Sequence, residues 1–192
     1  MVRVLVVVCA LAIAMFPAPR AALQPPGVVV ARTPRQVATS AAPIRLQSFT
    51  LTPRARFEAE ARVLSRRDYS YDAESGVAPT DLALGWGRMS DARVLDAIEV
   101  RQSARWYHFS YRRAPIPHDE IVRSSANMHF IPATPELAAR LDSVRPGDVV
   151  VFRGKLVDAR RRDGWNWRTS LRRDDTGAGS CEIVYLESLE LR

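Results

Sequence analysis

The residues best equipped for chemistry fall in two stretches of the C-terminal half. In the first, Ser125, Asn127 and His129 alternate with Ala126, Met128 and Phe130. On a strand, side chains two apart point the same way, so the three polar groups would share one face and the apolar ones the other. A histidine beside a hydroxyl and an amide can accept a proton or bind a metal. No carboxylate or cysteine stands at ligand spacing from His129, and no spacing links it to His108 or His118, so no metal or cofactor is called for. A hydrogen-bonded strand face accounts for the same three residues.

The second stretch is aromatic and basic: Trp165, Trp167, Arg168, Arg172 and Arg173. On a strand, Trp165 and Trp167 share a face. Exposed rings there could stack on sugars or bases at about 1–3 kcal/mol each, and arginines beside them could hold phosphate or carboxylate. The same tryptophans could instead fill the core and leave the arginines in solvent.

Two further features bear on chemistry. Asp174 to Gly179 form a glycine-containing loop before Cys181. It lacks the Gly-Lys-Ser/Thr ending of a phosphate-binding loop. Cys181 would be a nucleophile if a nearby histidine or arginine lowered its pKa, and an inert apolar residue if buried. Trp86 stands between Gly85 and Gly87, after the apolar Leu82 and Leu84. It is either a plug in the core or an exposed anchor. No nucleophile elbow, zincin or dinucleotide fingerprint occurs.

The elements that must position these residues are mostly strands. Residues 57–64 alternate cleanly, from Phe57 through Ala59, Ala61 and Val63. Further strands are expected at 98–111, within 121–131, at 149–158, at 164–171 and at 181–191. Residues 66–83 read as a long surface loop. A short helix is expected at 91–98, capped by Ser90 or Asp91, and another after Thr134-Pro135, with threonine as cap and proline in the first turn. The helices are too short for the crossovers of a parallel sheet. A mainly β fold follows, with short helices: a small antiparallel barrel of OB-like order, with a β-sandwich as the alternative.

The N-terminus reads as an address. Arg3 precedes an apolar run of 13 residues, Val4 to Phe16, within the signal-peptide range of about 7–15 and short of the ~20 of a spanning helix. Pro17 and Pro19 end it. Cutting after Ala21 or Ala22 places Pro19 or Arg20 where a small residue is usual, so an uncleaved inner-membrane anchor is the alternative to periplasmic release. Residues 1–22 are thus assigned as signal or anchor, 23–43 as a proline-bearing linker, and 44–192 as one globular domain. Membrane contact is expected only through the N-terminal segment. The net charge of +7 carries little weight by itself. Of 28 basic residues only Lys155 is a lysine, and arginine for lysine throughout is the mark of a GC-rich genome.

Four stretches, Asp81–Asp91, Gln102–Tyr107, Ser125–Ala133 and Trp165–Glu182, together resemble a group of uncharacterised bacterial exported proteins, over roughly residues 65–187. The resemblance implies one exported domain and carries no activity. The expectation is therefore a binding or assembly domain of the envelope. Its partner would be a protein or a cell-wall polysaccharide, met through Trp86, Trp165, Trp167, Arg168 and Arg172. An envelope hydrolase lined by Ser125, Asn127, His129 and Cys181 is the alternative. A nucleic-acid-binding OB-like domain is the third reading, which export disfavours.

Overall fold

A long alternating segment organises the molecule. In the computed structural model, which describes residues 26–172 and 180–192, strand β3 (Phe49–Asp68) runs for 20 residues. Ala55, Phe57, Ala59, Ala61 and Val63 are buried along it, while Arg54, Arg56 and Glu58 face water. That is the period-two pattern of a strand with one wet face. Pro53 sits where the pairing of β3 shifts register, a place in which its missing N–H costs no ladder bond.

Around β3 the chain builds a near-closed ring of five strands. The C-terminal half of β3 pairs antiparallel with β4 (Thr80–Gly85), and β4 with β7 (Ser125–Pro132). β7 pairs with β10 (Glu182–Leu191), and β10 with β8 (Val149–Arg161). β8 returns to β3, pairing with it from Phe49 to Arg62. Helix α3 (Pro135–Ser143) joins β7 to β8, with the Thr134 hydroxyl accepting from Leu137 N as expected of its cap. The fold is mainly β and OB-like in strand order, one ring rather than two facing sheets. It is not wholly antiparallel: β10 runs parallel to β7.

Three apolar clusters hold these elements. The largest fills the ring, with Phe57, Leu82, Met128, Phe130, Phe152 and Leu186, and is closed by Trp86 and by Leu141 of α3. A second lies against β8 and β10, with Leu51, Ile131, Val157 and Ile183, and takes in Trp165 and Trp167. The third supports an excursion between β4 and β7: a 3-10 turn (Gly87–Ser90), α1 (Ala92–Leu95), the hairpin β5 (Glu99–Ser103) and β6 (Trp106–Ser110), and α2 (His118–Arg123). Gly85 allows the 3-10 turn to close, because a side chain there would run into the Met89 carbonyl.

Several local expectations need correction. Residues 98–111 form a hairpin rather than one strand, and residues 118–123 are helical before β7 begins. The strand expected at 164–171 shrinks to β9 (Asn166–Trp167) on the edge of β8. The stretch expected to be a linker carries structure from Gly27 onward. Val30 is 1% exposed in the main cluster, its N–H bonded to Ser90 Oγ, while β1 (Arg35–Ala38) and β2 (Ile44–Leu46) pair with β3. The signal segment and the loop from Asp174 to Gly179 lie outside the described residues.

Candidate functional site

The pairing of β4 with β7 sets Asp81 opposite His129, Ala83 opposite Asn127, and Gly85 opposite Ser125. Since Leu82, Leu84, Met128 and Phe130 fill the ring, these partners occupy its outer face. Ser125, Asn127 and His129 therefore share a face, as their spacing predicts. That face is covered by the β5–β6 hairpin.

The hairpin is fixed there by polar bonds. Its two-residue turn, Ala104-Arg105, has φ of 48° and 68°, the left-handed pair that a tight hairpin requires. The turn aims the Arg105 guanidinium inward, 2.8 Å from Asp81 Oδ1 and 2.7 Å from both Asp72 oxygens, with a further bond to the Ala78 carbonyl. The guanidinium also lies 3.9 Å from the centre of the Tyr69 ring, and Tyr69 Oη accepts the Arg105 backbone N–H. Burial works against the Arg105 charge, but the bonds to Asp72 and the charge of Asp81 outweigh it and raise its pKa. The same Arg105 bonds hold the Asp72 carboxyl below the usual carboxylate range.

The rest of the polar stripe is engaged with the hairpin too. Gln102 Nε2 donates to Asn127 Oδ1, and Asn127 Nδ2 donates to the Arg105 carbonyl. Tyr107 Oη donates to Ser125 Oγ, which donates to the Ile121 carbonyl. Burial raises the Tyr107 hydroxyl to a pKa of about 12. His129 Nδ1 is 2.8 Å from Asp81 Oδ1 but off the line of a hydrogen bond, and among the described residues neither Nδ1 nor Asp81 Oδ2 has a hydrogen-bond partner.

This geometry separates residues the sequence had grouped. Ser125 and His129 stand four residues apart on a straight strand, about 13 Å. They do not meet as nucleophile and base, which need contact of about 3 Å. Cys181 instead approaches the hairpin, its Sγ 3.8 Å from the Arg105 carbonyl. It lines a cleft together with His129, Trp167 and Arg168. Among the described residues no group of three or more His, Cys, Asp or Glu is placed to hold a metal ion.

The aromatic and basic candidates divide in the same way. Trp86 is 2% exposed and belongs to the core, where it also lines a cavity. Trp165 is half-buried against Phe49, ring centres 5.7 Å apart. Trp167, also half-buried, lies 4.5 Å from the His129 ring and borders a hollow of about 440 Å³. Arg168 lines that hollow with Arg160, Arg54, Asn166 and the carboxylate of Asp158. Arg54 pairs with Asp158, whereas neither Arg160 nor Arg168 has a carboxylate partner among the described residues. Arg172 lines a different cavity, with Trp86, Ser125, Asn127 and Cys181.

Compared with known proteins, the chain matches no family model, no curated protein and no solved structure. Its site rests on geometry alone. Sequence reasoning missed Arg105, Asp81 and Asp72, which lie on three segments and touch only after folding. It also missed Trp106, which is 37% exposed beside the turn and borders both the cavity and the cleft. The one signal for Trp106 was its place in an aromatic run, Trp106 to Phe109, after the small Ser103-Ala104 pair.

Proposed function

We propose that the protein is a binding domain of the bacterial envelope that holds an acidic polysaccharide across Arg160, Arg168 and Trp167. The observation that carries this reading is the pair of guanidinium groups, without carboxylate partners among the described residues, that flank the half-buried indole of Trp167 in one hollow. A planar guanidinium matches a carboxylate with two parallel bonds, and an indole offers a sugar ring an apolar face with a polar edge. The N-terminal address supports an extracytoplasmic ligand. The engaged hydroxyl of Ser125, distant from His129, gives a Ser–His hydrolase no support.

The decisive experiment is co-sedimentation and calorimetry with polygalacturonate, neutral dextran and single-stranded DNA. Binding to polygalacturonate is expected, weakening as salt rises. The Arg160→Gln/Arg168→Gln pair should reduce it about tenfold or more without lowering Tm, since both side chains are exposed. Equal or tighter binding of DNA would replace this reading with the nucleic-acid one, and no binding of any polyanion would end both.

A further inference from the structure

On the other side of the hairpin lies a second cavity, of about 420 Å³, between β6, α2, β7 and the start of β10. This volume is within the range of about 300–1,000 Å³ usual for small-molecule sites. Its walls are aromatic: Trp106, Tyr107 and Phe109 from β6, His118 from α2, and Trp86. These rings pack against one another, Tyr107 to Phe109 at 5.7 Å and Phe109 to His118 at 5.5 Å between centres.

Two of the polar groups at its floor, Ser125 and Asn127, are already satisfied. Ser125 bonds Tyr107 and Ile121, while Asn127 bonds Gln102 and Arg105. Ordered water needs two to four polar partners, so such a floor holds water poorly and favours an apolar occupant. The charged groups bordering the cavity, Arg172 and Glu182, are of opposite sign, and a charged ligand must shed its own hydration to enter. His118 Nδ1 is 3.0 Å from Tyr111 Oη, which leaves Nε2 as the ring nitrogen for a ligand.

We propose that this cavity is a binding site for an uncharged planar aromatic molecule of one or two fused rings, bearing one hydrogen-bonding substituent directed at His118 Nε2. The site is independent of the polyanion face, for it shares neither Arg160, Arg168 nor Trp167.

The probe is 2-naphthol, titrated into the protein by calorimetry and by amide NMR. A dissociation constant on the order of 10–100 µM is expected for a ligand of this size, with shifts confined to β6, α2, the first residues of β7 and the start of β10. Naphthoate should bind at least tenfold more weakly. Val122→Trp, which fills the cavity from α2, should abolish binding. His118→Phe, which keeps an aromatic wall but removes Nε2, should weaken naphthol severalfold while leaving naphthalene nearly unchanged. Silence at about 1 mM naphthol, naphthoate binding as tightly as naphthol, or shifts centred elsewhere would each overturn the proposal. The shift map of the unmodified protein decides the matter even if Val122→Trp does not fold.

Discussion

Strands β4 and β7 present two faces built on opposite physical rules. Toward the ring interior, Leu82, Leu84, Met128 and Phe130 are held by shape and by exclusion of water. Away from it, Asp81, Ser125 and Asn127 are buried too, yet they are held by paired donors and acceptors supplied by the hairpin, while His129 packs against Trp167. The apolar face depends on the volume of each residue. The polar face depends on partnership, so losing one member of a pair is worse than losing both.

That contrast can be broken by mutation, most forcefully at Arg105 and Phe130. Arg105→Ala leaves the Asp81 carboxylate, 0% exposed, without its cation, and should cost about 3–5 kcal/mol in urea unfolding. Adding Asp81→Asn should recover a substantial part of that loss. Phe130→Ala should cost a similar ~3–5 kcal/mol through the cavity it opens, with no second-site polar change restoring it. If Arg105→Ala cost under about 1 kcal/mol, the hairpin would not depend on its charge pairs.

Asn127→Ala is the intermediate case. It strands the Arg105 carbonyl and the Gln102 amide, and should cost about 1–3 kcal/mol. The shape-based rule predicts little for this change, since Asn127 makes no part of the main cluster.

The smaller effects sharpen the contrast by pH. Tyr107→Phe removes one bond at a cost of about 1 kcal/mol. Because burial raises the Tyr107 pKa to about 12, the tyrosine's contribution is complete below its ordinary pKa and is lost as pH rises through that raised value. The stability gap between wild type and Tyr107→Phe should therefore narrow or reverse on the alkaline side. Asp72 works in the other direction. Its depressed pKa, caused first by Arg105, gives a contribution present above the ordinary value of 3.8 and lost as pH falls below it. Asp72→Asn should flatten that acid loss, read as Tm against pH.

The inner face was legible in the sequence and the outer one only in part. Phe57, Ala59, Ala61 and Val63 announce their strand because one face meets water, and the alternation survives in residue type. Thr134-Pro135 announces α3 because a cap is a local bargain among neighbours. The β5–β6 turn was hidden because Ala104-Arg105 carries none of the Asn-Gly or Asp-Gly chemistry that marks left-handed turns. It is held in shape by distant Asp72 and Asp81 rather than by its own propensity. The shared face of Ser125, Asn127 and His129 could be read from spacing, but its occupant could not, since Gln102, Arg105 and Tyr107 reach it from another segment. Trp165 and Trp167 were read as a strand pair. Only two residues of that stretch join the sheet, and the rings turn inward onto Phe49 and His129.

The position of β10 has a consequence for how the molecule comes into being. Strand β10 inserts between β7 and β8, so during synthesis these two have a gap where their shared neighbour belongs until β10 itself has emerged. Nucleation through such distant pairings is slow. The ring thus stays open until β10 arrives, and that strand acts as the keystone that closes it.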